Sequence, residues 1–211
     1  MFVRDWMTKN PKVVPSKTPV MEAMQTLREG GYRRLPVVDN GKLVGIATDK
    51  DLKEATPSKA STLSVYELNY LLSKLTIKDV MKTPVYSVAA DDPVEKAALL
   101  MEEKKVSGLT VVESANSDKV VGILTITDIL RAFVTALGLR EGGMRLTIRV
   151  PDEPGVLAKV TSAAPPSNIT AVAVSSHHED KREIVLRVTG ENTQDFAERL
   201  KQIGVEVVDV R

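Results

Sequence analysis

The sequence predicts an α+β (mixed α/β) protein in which a helix–strand–strand–helix unit occurs twice and is followed by a ferredoxin-like β-α-β-β-α-β domain. Two observations predict the duplication. Asp-Trp-Met at residues 5–7 returns as Asp-Val-Met at 79–81, 74 positions later (79 − 5), and both copies end in Gly-x-x-Thr-x-x-Asp. The third observation is the change to strand-like alternation at residues 145–150, after Gly142-Gly143.

The first helix of each copy follows a proline and carries apolar residues at i, i+3, i+4 and i+7. These residues are Val20, Ala23, Met24 and Leu27 in the first copy, and Val94, Ala97, Ala98 and Met101 in the second. Gly30-Gly31 ends the first of these helices.

Two short strands follow each helix, at 35–38 and 43–47 in the first copy and at 109–112 and 120–124 in the second. Asn40-Gly41 predicts a tight hairpin turn, whereas residues 114–118 predict a longer loop. The second helices begin near Asp49 and Ile126. Because one such unit leaves sheet edges open, we expect the two copies to pack as a pseudo-twofold pair.

Polar, proline-marked residues 56–64 separate the copies, and a helical stripe follows. In the last domain we predict strands at 145–150, 171–176, 183–189 and 205–210, with helices at 155–163 and 193–203. The predicted division is therefore 1–55 and 79–139 for the two copies, 56–78 and 140–144 for the linkers, and 145–211 for the last domain.

Composition excludes several function classes. Twenty-nine Lys and Arg residues oppose 28 Asp and Glu residues, for a net charge of +1, so no overall field favours nucleic acid or a membrane. The chain has no cysteine, which excludes disulfides and thiolate metal sites. The first residues lack an apolar signal core, and we expect a cytoplasmic protein.

Two threonine–aspartate pairs, Thr48/Asp51 and Thr125/Asp128, lie where a strand leads into a helix. A helix N-terminus attracts phosphate, the hydroxyl adds a phosphate or sugar contact, and the carboxylate can accept hydrogen bonds from both ribose hydroxyls. The same pattern is also typical of a capping box that only stabilises the helix. Both interpretations stay open, and the repetition favours a binding site.

These elements resemble a known arrangement of domains. The doubled Gly-x-x-Thr-x-x-Asp motif and the run Arg-Leu-Pro-Val-Val-Asp at 34–39 resemble a pair of cystathionine-β-synthase (CBS) domains, a Bateman module. Asp-Glu-Pro-Gly at 152–155 and Asn-Ile at 168–169 resemble the ACT domain. The order CBS–CBS–ACT is similar to the acetoin-utilisation AcuB family.

The resemblance implies a regulatory, non-catalytic protein that binds an adenine nucleotide (AMP, ADP or ATP) or S-adenosylmethionine in two clefts. It assigns ribose to Asp51 and Asp128, and phosphate or sugar contacts to Thr48 and Thr125. It also implies a homodimer, an unidentified regulated partner protein, and a role in acetoin or acetyl-group catabolism. The alternatives are an interaction scaffold whose clefts hold nothing and, less favoured, an enzyme of acetoin metabolism.

The two clefts are predicted to differ. The first copy has Arg33-Arg34 where the second has Ser107-Gly108, so one copy alone supplies guanidinium groups suited to phosphate. A solvated surface pair is the alternative for these arginines. Asp49 adds a second carboxylate near the first cleft.

In the last domain, the resemblance implies an amino-acid site. Asp152 would take an α-amino group, Gly155 would let the backbone approach closely, and Asn168 is the third residue that the resemblance assigns to the site; an ordinary capped loop is the alternative. We interpret His177-His178 as a hairpin tip and predict no metal site. No hydrolase, P-loop or zincin motif occurs in the sequence.

Overall fold

A computed structural model describes residues 1–55, 65–178 and 180–211, and the chain divides into two compact units, Met1–Ile129 and Leu130–Arg211. The predicted polar linker at 56–64 lies outside the described residues. After a 3-10 helix at Val3–Asp5, the duplicated region consists of β1 (Thr8–Lys9), α1 (Val20–Gly30), β2 (Arg34–Asp39), β3 (Lys42–Thr48), α2 (Asp49–Glu54), α3 (Val65–Lys74), α4 (Ile77–Val80), β4 (Ser87–Ala89), α5 (Val94–Lys104), β5 (Gly108–Val112), β6 (Val120–Thr125) and α6 (Ile126–Ala136).

The first copy forms as the sequence predicts. Helix α1 follows Pro19, buries Val20, Ala23 and Leu27 on one face, and is capped at its C-terminus by Gly31, whose φ of 64° suits glycine. Strands β2 and β3 join through Asn40 (φ 50°) and Gly41 (φ 78°), which fits a tight turn with two left-handed residues.

The second copy repeats this order but differs in the residue that caps its first helix and in the length of its strand–strand loop. Helix α5 is capped at its C-terminus by Lys105, a non-glycine residue with φ 54°. Strands β5 and β6 pair antiparallel, with Gly108 opposite Thr125. Their connecting loop is longer than in the first copy, and its ends are tied by a hydrogen bond from the Glu113 amide to the Lys119 carbonyl oxygen.

The two copies exchange their leading segments, which we define as residues 7–9 of the first copy and 81–82 of the second. This exchange was not predicted from the sequence. Strand β1, in the leading segment of the first copy, pairs with β6 of the second, where Thr8 is opposite Ile123. In the reciprocal position, Lys82 in the leading segment of the second copy bridges Ile46 on β3. The expectation that the copies pack together is confirmed, because β1 of the first copy joins the sheet of the second and Lys82 of the second copy bridges β3 of the first.

Two glycines make this exchange possible. A Cβ added at Gly45 would overlap the Sδ of Met81, and a Cβ added at Gly122 would overlap the Sδ of Met7. Each methionine comes from the leading segment of the other copy. The glycine of Gly-x-x-Thr-x-x-Asp therefore makes room for a neighbouring side chain.

The last domain has the predicted β-α-β-β-α-β order. Its elements are β7 (Met144–Pro151), α7 (Val156–Ser162), β8 (Asn168–His178), β9 (Lys181–Thr189), α8 (Gln194–Gln202) and β10 (Glu206–Val210). The sheet order β10-β7-β9-β8 places the first and third strands at the centre, as in the ferredoxin-like arrangement. Strand β8 is longer than predicted at both ends.

Helices α7 and α8 cover one face of this sheet. The core consists of Leu146, Ile148, Val150, Val160, Ile184, Leu186, Val188, Phe196, Ala197, Leu200 and Val205. In the part of the chain that the structure describes, no helix is both long enough and apolar enough to cross a bilayer.

Candidate functional site

Both Gly-x-x-Thr-x-x-Asp motifs form the same cap at the end of a strand. The Oδ2 of Asp51 accepts hydrogen bonds from the Thr48 amide (2.9 Å) and hydroxyl (2.5 Å), and the Oδ2 of Asp128 accepts the same two bonds from Thr125 (2.9 and 2.6 Å). Each aspartate is only 6% exposed. The cap interpretation is therefore realised in both copies, and it buries two carboxylates at equivalent positions.

A third cap of this type occurs outside the motif. Thr76 donates its amide and hydroxyl to the Oδ2 of Asp79, both at 2.8 Å, at the start of α4. Asp79 is exposed. It therefore offers an internal comparison in which the same cap occurs without the buried setting.

Lys82 is the partner of the first buried carboxylate. Its Nζ lies 2.8 Å from Asp51 Oδ1, and 67% of the Lys82 side chain is exposed against 4% of the Asp51 side chain. Burial raises the pKa of Asp51, but hydrogen bonds from Lys82 and Thr48 outweigh it and leave that pKa below its ordinary value. The same hydrogen bond to Asp51 raises the pKa of Lys82. We call Thr48, Asp51 and Lys82 the first site.

Arg34 extends from the first copy toward the second. Its Nη2 donates to the carbonyl oxygen and the hydroxyl of Ser107 at 3.4 and 3.3 Å, and a Cβ added at Gly108 would overlap its Nη1. Burial and the charge of Arg33 lower the pKa of Arg34, and attraction to Asp128 partly opposes them. We call Thr125, Asp128 and Arg34 the second site.

The two sites therefore draw their charged groups from different copies. Asp51 belongs to the first copy and its ammonium partner to the second, whereas Asp128 belongs to the second copy and is attracted by Arg34 of the first. The sequence predicts that Arg33 and Arg34 make the first cleft different from the second by supplying guanidinium groups for phosphate. Arg33 is exposed, and Arg34 reaches the second copy because Gly108 leaves room for it.

Lys82 was not among the predicted site residues. The sequence contains a signal for it, because Lys82 follows Met81 just as Thr8 follows Met7 in the repeated segment. Only the exchange of leading segments brings position 82 to Asp51. Asp49, which we expected to add negative charge near this site, is paired with Lys53 at 2.6 Å along α2.

The structure does not bring the three predicted amino-acid-binding residues together within the chain. Asp152 pairs with the Nε of Arg182 at 2.6 Å, and Gly155 has a φ of 85° at the start of α7. Asn168 lies opposite Thr189, whereas Pro151 lies opposite Lys181. Eight residues of β9 separate these rungs (189 − 181), roughly 27 Å of strand, because α7 returns the chain to the other end of the sheet.

No cluster of three potential metal ligands (His, Asp or Glu) occurs among the residues whose side chains the structure describes. His177 and His178 end β8 opposite Arg182 and Lys181. Their side chains lie outside the described part, as does Glu179.

Solved structures similar to this chain include CBS pairs with adenosyl ligands. The CBS domain pair of protein MJ0100, in complex with 5′-methylthioadenosine and S-adenosyl-L-methionine, is 34% identical with a TM-score of 0.52, covering 64% of this chain and 97% of that one. CBSX2 in complex with AMP is 34% identical with a TM-score of 0.51, covering 64% and 96%. A Vibrio cholerae protein assigned to acetoin utilization (AcuB) is 30% identical with a TM-score of 0.52, covering 67% and 96%.

Among curated relatives, the L-aspartate semialdehyde sulfurtransferase of Methanocaldococcus jannaschii is 34% identical over 133 residues, or 63% of this chain. The chain spans only 23% of that enzyme's length.

Family models match both predicted parts of the chain. The CBS domain matches residues 3–58 and 77–135, which together are more than half of the chain, and the TTHA0829-like ACT domain matches residues 142–211. The chain belongs to the CBS-domain family, as a CBS pair followed by a C-terminal ACT domain.

Proposed function

We propose that this chain is a non-catalytic regulatory protein that binds an adenine nucleotide or a related adenosyl compound at the first and second sites. The observation that carries the proposal is the pair of buried carboxylates, Asp51 and Asp128, held by the same cap in both copies. A buried carboxylate accepts ribose hydroxyls well, because charge-assisted hydrogen bonds are stronger away from water. AMP and S-adenosylmethionine are the candidate ligands, since solved neighbours at 34% identity hold AMP or S-adenosylmethionine.

In this proposal Asp51 and Asp128 bind ribose, and Thr48 and Thr125 contact sugar or phosphate. Each cap uses Oδ2 of its aspartate, so Oδ1 of Asp51 is the oxygen that a ribose would compete for. Arg34 provides a guanidinium beside the second site. Arg33 is exposed and remains a candidate phosphate contact.

A thermal-shift panel tests the proposal. We would add AMP, ADP, ATP, S-adenosylmethionine and adenosine to the wild type and to Asp51→Ala, Asp128→Ala and Asp79→Ala. A ligand at 100 times its Kd adds about 2.7 kcal/mol. That corresponds to a rise in Tm of about 5–10 °C for a chain of this size.

Asp79→Ala is the matched control, because it removes the same kind of cap from an exposed aspartate. For each variant we compare the Tm with ligand against the Tm of the same variant without ligand. The destabilisation caused by the loss of a cap is present in both values and cancels. The expected result is a rise that Asp79→Ala retains and that Asp51→Ala or Asp128→Ala reduces. Absence of any rise in the wild type with all five compounds would reject the adenosyl proposal.

An interaction scaffold is the second candidate, and one observation favours it: cap and ion pair already satisfy both oxygens of Asp51 within the protein. On this view Asp51→Ala lowers the Tm, and no ligand changes it.

We further propose self-association as a homodimer. Large apolar side chains are exposed on three helices of the CBS pair: Met21 on α1 (49%), Leu99 on α5 (59%) and Ile126 on α6 (49%). Sedimentation velocity tests this, and Leu99→Glu is expected to shift a dimer toward monomer.

Control of acetoin or acetyl-group catabolism is the physiological context we propose, supported by the likeness to the Vibrio cholerae protein. In the ACT domain, amino-acid binding is proposed at Asp152 and Gly155. Because Asn168 lies at the other end of the sheet, it would join that site only from a second chain. Adding amino acids to the thermal-shift panel tests this, with Asp152→Ala as the variant expected to lose the response.

A further inference from the structure

Lys82 is fixed beside the first site by its backbone. The Lys82 amide donates to the Ile46 carbonyl oxygen at 2.8 Å, and the Ile46 amide donates to the Lys82 carbonyl oxygen at 3.2 Å. Ile46 lies on β3, two residues before Thr48. The ammonium at the end of this anchored residue reaches Asp51 Oδ1, and its side chain is two-thirds exposed.

The matched position beside the second site is Thr8 of the first copy, which carries no charge. Thr8 lies opposite Ile123 on β6, just as Lys82 lies opposite Ile46 on β3. A threonine side chain is shorter than a lysine side chain and uncharged, so Thr8 cannot neutralise the Asp128 carboxylate as Lys82 neutralises that of Asp51. The exchange of leading segments thus gives only the first site a lysine at this position.

A ligand at the first site must compete with this ammonium for Asp51. Once ribose hydroxyls occupy Oδ1, the ammonium loses its partner and moves on a flexible, largely exposed stem. A ligand with phosphate offers the ammonium a new anion, whereas a ligand without phosphate leaves it to water. The loss of the ion pair is therefore compensated only when the ligand is anionic.

Resting on the function proposed above, we infer that Lys82 makes the first site selective for adenosyl ligands that carry phosphate. Lys82 is a specificity residue contributed by the second copy to a site of the first. Thr8 does not make the second site selective in this way, because it carries no charge. Its guanidinium, Arg34, is held by Ser107.

Calorimetric titration with adenosine and AMP tests the inference, because the two compounds differ only in the phosphate. We would measure both Kd values for the wild type, Lys82→Met and Lys50→Met, at one ionic strength. Lys50→Met is the matched control: Lys50 lies on α2, its side chain is 79% exposed, and it pairs with Glu54 at 3.5 Å. Loss of binding in Asp51→Asn identifies which of two titrating sites is the first.

Wild type should prefer AMP, and Lys82→Met should reduce the AMP-to-adenosine preference at the first site by about tenfold, the usual effect of one charge-assisted contact. Lys50→Met should leave the preference within about twofold. Thr8→Lys, on an exposed residue, should raise the preference for AMP at the second site.

An unchanged preference in Lys82→Met, or an equal fall in Lys50→Met, would overturn the inference. The proposed function would survive that result, because adenosine and AMP would still bind. Failure of both compounds to bind the wild type would overturn the inference and the adenosyl function together. The fluorescence of Trp6, the single tryptophan, confirms that each variant is folded.

Discussion

Arg34 and Gly108 occupy matched positions in the two copies, 74 residues apart (108 − 34), and we predict that they are energetically coupled. A Cβ built on Gly108 overlaps Arg34 Nη1 and lies 2.5 Å from Cζ and 3.1 Å from Nη2. These atoms form the end of a flexible side chain. Gly108→Ala should therefore displace the guanidinium and leave the strand in place.

The magnitude follows from two opposing effects. Displacing Arg34 loses its hydrogen bonds to Ser107, which are long and partly exposed, and imposes a poorer rotamer, together about 1 kcal/mol. Replacing glycine by alanine within a strand stabilises by about 0.5–1 kcal/mol. In the wild type the two effects nearly cancel. In an Arg34→Ala background only the gain remains, so the coupling energy is about 1 kcal/mol.

Urea unfolding followed by Trp6 fluorescence measures this cycle. Trp6 is the single tryptophan and lies in the unit Met1–Ile129, close to the sequence that forms the CBS pair, so its fluorescence follows the unfolding of that unit. The four proteins are the wild type, Gly108→Ala, Arg34→Ala and the double variant. If Gly108→Ala changes the free energy of unfolding equally in both backgrounds, Arg34 does not exclude a side chain at position 108 and the reasoning is wrong.

Two further predictions concern acid stability and glycine geometry. The pKa of Asp51 is below its ordinary value in the folded state. Its stabilising effect is therefore complete above the unfolded pKa of about 4 and is lost as the pH falls through the folded pKa. Asp51→Asn should flatten the fall in unfolding free energy between pH 5 and 3, measured by Trp6 fluorescence, and an unchanged slope would contradict this. In the ACT domain, Gly143→Ala should cost about 3 kcal/mol or more of unfolding free energy, because φ is 84° and the added Cβ overlaps the Val188 carbonyl oxygen. Gly204→Ala, with φ 82° and nothing within 4 Å, should cost only about 1 kcal/mol of backbone strain. Equal losses in urea unfolding followed by circular dichroism would contradict the steric argument.

Local signals in the sequence predicted most of the fold. Proline followed by an apolar stripe located α1 and α5, and Asn40-Gly41 located the hairpin turn. The alternation after Gly143 located the start of the last domain, and the strand and helix patterns that follow it predicted the ferredoxin-like order. Each of these signals acts within a few residues along the chain, so one sequence was enough to interpret it.

Features that depend on distant residues were not predicted. Strands β1 and β4 have two and three residues, too short to show a period, and they form only against partners elsewhere in the chain. The pairing of Lys82 with Asp51 depends on the exchange of leading segments. The separation of Asn168 from Asp152 follows from the direction of α7, which a motif comparison ignores.

The exchange of leading segments determines which contacts a ligand bound at either proposed site would stabilise. Lys82 and Arg34 each cross from one copy to the other, so neither copy alone holds both charged groups of its site. A ligand that contacts a carboxylate of one copy and a cation of the other stabilises the arrangement in which the copies are paired, and it must leave any other arrangement less favoured. The free energy of binding therefore acts on the contact between the copies. Since Asp51 and Lys82 already pair in this structure, the arrangement is also stabilised without a ligand, and the effect of a ligand is limited to the difference between the two sets of contacts.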